Sequence, residues 1–108
     1  MTFDEYQKES RKTATYLGKR DFWYPALGLA GEAGEVIEKV KKLFRDDEGV
    51  LSDERRQGLK KELGDTLWYL TQIATDAGLS LREIAEDNIE KLFSRKERGK
   101  ITGDGDNR

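Results

Sequence analysis

Apolar residues recur at intervals of three and four along nearly the whole chain, and Pro25 is the single proline in 108 residues. That spacing is the signature of helices that bury one stripe, so an all-α fold is predicted. Thr2-Phe3-Asp4-Glu5 fits a capping box opening a first helix, with Phe3, Tyr6, Ser10 and Leu17 on one stripe and Gly18 as its end. Residues 18–25, GKRDFWYP, read as a loop whose three consecutive aromatics offer a docking point. A second helix fits residues 26–45, and a polar loop follows around Gly49. A third helix runs to about Ala77, with Gly78 as its C′ residue. Ser80-Leu81-Arg82-Glu83, another capping box, opens a fourth helix bearing Leu81, Ile84, Ala85, Ile89, Leu92 and Phe93, and Gly99 closes it. The organisation expected is a single domain over residues 1–98, a four-helix bundle-like protomer, followed by a flexible tail at 99–108 rich in Gly, Asp and Asn.

The core of such a domain is thin. Leu, Ile, Val and Phe number 24, and charged residues make up 39% of the chain, against about 25% in an average domain. A chain this short also buries only about two-thirds of its unfolded surface, so self-association is expected. Lys plus Arg number 20 against 22 Asp plus Glu, a net charge of −2, which argues against a dedicated nucleic-acid binder. With no Cys and no His, thiol catalysis, imidazole chemistry and the usual zinc sites are excluded. No apolar run approaches a membrane span and no signal-like segment follows Met1, so a cytoplasmic location is expected.

One pattern is written twice. At an offset of 30 residues, Leu29-x-x-Glu32-x-Gly34-Glu35 matches Leu59-x-x-Glu62-x-Gly64-Asp65, and the match continues through Ile37/Leu67, Val40/Leu70 and Leu43/Ile73. At about 100° per residue, each helix places two acids beside its apolar stripe. Leu29, Ala33, Val36, Ile37, Val40, Leu43 and Phe44 form the first stripe; Leu59, Leu63, Leu67, Leu70, Ile73 and Ala77 form the second. If the stripes pack together, four carboxylates converge and their repulsion calls for a cation. Oxygen donors alone favour a hard ion, Mg²⁺ first, with Mn²⁺ as a substitute. A solvated acidic face is the plain alternative, but Gly34 and Gly64 inside helices cost about 1 kcal/mol each relative to Ala, which close backbone approach at those glycines would offset. A di-iron bundle is disfavoured because its Glu-x-x-His pairs need histidine.

Mg²⁺ held by few protein oxygens commonly carries phosphates. Lys39, and Asn88, Lys91 and Arg95 along the fourth helix, are the candidate phosphate ligands; Trp23, Tyr24 and Tyr69 are candidates to stack on a base. The competing assignments are surface cations beside a capped Asn, an i,i+4 partner of Glu35 for Lys39, and dimer packing for Trp68 and Tyr69.

At GLAGEAGEVIEKVKK, KKELGDTLWYL, NIEKLFSR and GDGDNR the sequence resembles the MazG-like all-α nucleoside triphosphate pyrophosphohydrolases, over roughly residues 25–108. The resemblance implies that Glu32, Glu35, Glu62 and Asp65 bind Mg²⁺ and that a nucleoside triphosphate is hydrolysed to monophosphate and pyrophosphate. It also implies a homodimer or homotetramer whose base pockets draw partly on a neighbouring subunit. The spacer between the half-motifs is closer to the dCTP-cleaving and dimeric dUTP-cleaving branches than to the smallest bacterial members, and substrate identity stays open. Glu32 and Glu35 are the candidates for activating water, Glu32 first. The rival expectation is a non-catalytic helical dimerisation or regulatory module; calcium binding by Asp104, Asp106 and Asn107 lacks the EF-hand spacing.

Overall fold

The computed structural model describes residues 1–17 and 23–108. It contains four helices, α1 (Phe3–Arg11), α2 (Trp23–Asp46), α3 (Asp53–Asp76) and α4 (Leu81–Glu97), and no strand among the described residues. The all-α expectation therefore holds. Thr2 caps α1 with the full reciprocal box, Glu5 N–H donating to Thr2 Oγ1 at 3.1 Å and Thr2 N–H to Glu5 Oε2 at 3.4 Å. Ser80 caps α4 by accepting from Glu83 N–H at 3.2 Å. Gly78 and Gly99, with φ of 72° and 68°, take the left-handed conformation that follows a helix end.

Two boundaries differ from the sequence reading. The first helix ends at Arg11, because Thr13 and Ala14 turn away through 3.0 and 3.1 Å bonds to the carbonyls of Ser10 and Arg11. Gly18 and the front of the expected aromatic loop, residues 18–22, lie outside the described residues. Trp23 and Tyr24 belong to the first turn of α2 rather than to a loop.

α1 is fastened by polar groups instead of a hydrophobic stripe. The Gln7 amide donates to Thr75 Oγ1 at 3.0 Å and to the Leu79 carbonyl at 2.9 Å, and accepts from Leu81 N–H at 2.9 Å. One side chain thus joins α1, the end of α3 and the start of α4. Buried Gln72 donates to Ser10 Oγ at 3.0 Å, and Arg11 meets Asp76 at 2.8 Å. Tyr16 O–H donates to Asp76 Oδ2 at 2.6 Å and accepts from Arg11 at 2.9 Å. Burial first, then the bond to Asp76, pushes the Tyr16 phenol up to about 12.

α2 and α3 form an antiparallel hairpin through the short connection 47–52. α4 packs on α1 and the end of α3, but among the described residues none of its Cα atoms lies within 8 Å of one in α2. The radius of gyration is 16.8 Å, where about 13 Å is usual for a compact chain of this length. Ile37 and Phe44 of α2, Leu63, Leu67 and Leu70 of α3, and Ile84, Ile89, Leu92 and Phe93 of α4 are exposed. Much of both expected core stripes therefore stays outside this chain's core. Residues 99–108 double back on α4: Arg95 donates to the Asp106 carbonyl, and the Arg108 guanidinium to those of Lys100, Ile101 and Gly105 at 3.1, 3.0 and 2.6 Å. No helix among the described residues is long and apolar enough to cross a membrane.

Candidate metal and nucleotide site

The α2/α3 seam carries its functional groups in two matching series. Gly28, Glu32, Glu35 and Lys39 follow one another at i, i+4, i+7 and i+11 on α2, and Gly58, Glu62, Asp65 and Tyr69 do the same on α3. That spacing puts each series on one helix face. The contacts pair them head to tail: Tyr69 lies over Gly28, and the Lys39 side chain passes 3.9 Å from where a β-carbon on Gly58 would stand. The two ends of the seam are thus related by an approximate twofold through its centre, where the acids sit.

Carboxylate oxygens of Glu32, Glu62 and Asp65 all lie within 4.8 Å of one another, from both helices. Glu62 is well covered, its side chain 18% exposed, and Lys39 Nζ approaches its Oε1 at 3.6 Å. Burial, then the like charges of Asp65, Glu62 and Glu35, then a proton shared with Glu62, push the Glu32 carboxyl above the usual range. Tyr6 and Tyr69 feel the same concentration of negative charge: burial is the main cause of their raised phenols, with Asp65 adding to both and Glu32 to Tyr69. Three oxygen donors at mutual distances of this order, with no imidazole or thiolate in the chain, fit a hard divalent cation.

The raised Glu32 has a measurable consequence. A carboxyl whose folded value lies above its unfolded one destabilises the fold once pH rises past the ordinary glutamate range, and costs nothing below it. Glu32→Gln should therefore raise the melting temperature of the metal-free protein at neutral pH by a degree or a few, and the gain should vanish on the acid side of that range. Melting curves of both proteins across pH check this.

The remaining candidate residues are placed as follows. Glu35 is exposed and outside the trio, though its charge reaches Glu32. Tyr69 borders the acids and belongs to an aromatic array: Tyr16 stacks on Tyr24 at 5.1 Å between centroids, Tyr24 meets Tyr69 at 6.4 Å, and Trp68 meets Tyr69 edge-on at 5.0 Å. Trp23 is exposed at the start of α2. Asn88 and Lys91 are exposed on α4, which this chain does not bring to α2. Arg95 is 6% exposed and bonded to the tail, so it is not gathered with the acids here.

Close approach at Gly34 and Gly64 is overturned, since a β-carbon at either meets nothing within 4 Å. The close glycine is Gly28, where a β-carbon would overlap the Tyr69 ring. Sequence reading missed Gly28, although extending the 30-residue repeat by one turn pairs it with Gly58. Gly28→Ala should lower stability by about 1–3 kcal/mol through overpacking, whereas Gly64→Ala should raise it by roughly 0.5–1 kcal/mol through helix propensity. Chemical denaturation of the two variants reads both signs.

This all-helical chain, with its carboxylate trio shared by two antiparallel helices, belongs to the MazG nucleotide pyrophosphohydrolase family, whose domain model matches residues 25–99. Over its full length the chain is also 45% identical to the Gene 37 protein of Mycobacterium phage L5, across 114 aligned residues that span the whole of that protein. No solved structure matches it significantly.

Proposed function

We propose that the protein is a Mg²⁺-dependent nucleoside triphosphate pyrophosphohydrolase that converts an NTP or dNTP to the monophosphate and pyrophosphate. The observation that carries this reading is the meeting of Glu32, Glu62 and Asp65 within 4.8 Å in a chain of this family. These residues, with Glu35 beside them, would hold the ion, and Mn²⁺ would substitute. When bound, the ion neutralises phosphate charge and polarises the α-phosphate. Glu32 is the carboxylate assigned to take the proton of the attacking water. Lys39 contributes a cation at the edge of the trio, and Tyr69, backed by Trp68 and Tyr24, offers a stacking face.

We place this activity in the cytoplasm and in a homodimer or homotetramer. The exposed leucine edge of α3 and the apolar side chains of α4 support assembly. Because α4 stands away from α2, Asn88 and Lys91 would reach the phosphates from a second copy of the chain. Incubating the protein and Mg²⁺ with canonical and modified nucleoside triphosphates should release pyrophosphate from at least one. No release from any would leave the non-catalytic helical dimerisation module as the better description.

A further inference from the structure

The twofold that relates the ends of the α2/α3 seam is broken in chemistry at one pair of equivalent positions. Where α2 has Lys39 over Gly58, α3 has Tyr69 over Gly28. Beside Lys39 the seam opens into a cleft of about 350 Å³ lined by Lys39, Glu54, Arg55, Gln57, Gly58 and Lys61. Arg55 is engaged with Asp47 at 2.6 Å and faces Asp46 at 3.8 Å, so it forms wall. Lys61 and the Gln57 amide are donors there, with Lys39 shared with Glu62 at 3.6 Å, and Glu54 is the carboxylate of the lining. Through Lys39, one side chain of the cleft wall reaches the edge of the acid trio. At the opposite end are the rings of Tyr69, Tyr24 and Trp68.

A nucleoside triphosphate has the same polarity, an aromatic base at one end and a chain of anionic groups at the other. We propose that the Lys39 cleft seats the β- and γ-phosphates, so that the substrate lies along the seam with its polyphosphate end at Lys39, Gln57 and Lys61 and its nucleoside end at Tyr69. This rests on the hydrolase reading for the identity of the ligand, but the polarity follows from the cleft and the aromatic array. Phosphate oxygens gain charge-assisted bonds from ammonium and amide donors, and a base gains stacking from the rings. Gly58 keeps the floor low enough for Lys39 to cross from α2.

The test is calorimetric and needs no turnover. Inorganic pyrophosphate with Mg²⁺, and separately a panel of nucleoside monophosphates, are titrated into the full chain and into Lys61→Met, Gln57→Ala and Tyr69→Leu, each variant first checked by thermal melting. Lys61→Met should weaken pyrophosphate binding by about tenfold, the loss of one charge-assisted contact, while leaving the best monophosphate within about twofold. Gln57→Ala should act in the same direction to a smaller extent, and Tyr69→Leu should show the reverse selectivity. Pyrophosphate affinity unchanged in both Lys61→Met and Gln57→Ala, or monophosphate affinity falling equally with it, would overturn the proposal. If no triphosphate is hydrolysed yet pyrophosphate binding depends on Lys61, the hydrolase reading fails and the cleft stands as a polyphosphate site.

Discussion

Asp65→Asn and Glu62→Gln are expected to fold, and without metal to melt no lower than the parent, while pyrophosphate release falls by about a thousandfold or more, since an ion that polarises a phosphoryl group supplies several kcal/mol to the transition state. Each substitution keeps size and shape but removes one charge from the trio. The apo fold loses nothing by this, because the three carboxylates repel one another in the absence of a cation. Glu62→Gln has a second effect: Lys39 loses its 3.6 Å partner, so KM should change as well as kcat. Initial rates over a range of Mg²⁺ concentrations separate the two. Undiminished turnover in Asp65→Asn would remove that residue from the site.

Asp76→Ala should cost about 3 kcal/mol of stability, because it leaves buried partners without their acceptor. The Asp76 side chain is 5% exposed and receives Arg11 at 2.8 Å and Tyr16 O–H at 2.6 Å. These bonds, with Gln72 to Ser10 and Gln7 to Thr75, hold α1 and the following turn against α3. A domain of this size has only about 5–15 kcal/mol in total, so urea denaturation should show a large shift of the midpoint. The same network has a pH signature. Tyr16 is held protonated up to about 12, so the stability it adds is fully present below its unfolded value of 10.0 and is lost as pH rises between the two. In Asp76→Ala the part of that alkaline loss owed to the Asp76 bond should be missing.

Helix number and the N-caps of α1 and α4 could be read from the chain because Thr2 and Ser80 carry their own local hydrogen-bonding instructions, whereas the Ser52 cap of α3 was not read. The acids were legible for a different reason: a repeat at 30 residues puts Glu32 and Glu62 at equivalent points of two helices that a short turn folds back on each other. The pairing register was not legible, and it decides which glycine is crowded and which side chain crosses the seam. Hence Gly34 and Gly64 drew the reasoning that belongs to Gly28. Hydrophobic periodicity likewise marked Leu63, Leu67 and Leu70 as core, since it reports which face avoids water and not whether the covering surface comes from the same chain. The Arg95 contact with the Asp106 carbonyl joins a helix to an irregular tail, and no periodic signal anticipates it.

The proposed hydrolase requires Glu32, Glu62 and Asp65 to hold one divalent ion jointly. Titrating Mn²⁺ into the metal-free protein and following the free ion by electron paramagnetic resonance measures this directly. Saturable binding at one ion per chain is expected, competed by Mg²⁺ and lost in a Glu62→Gln, Asp65→Asn double variant that still folds. Binding that survives in that variant, or no binding in the parent, would contradict it.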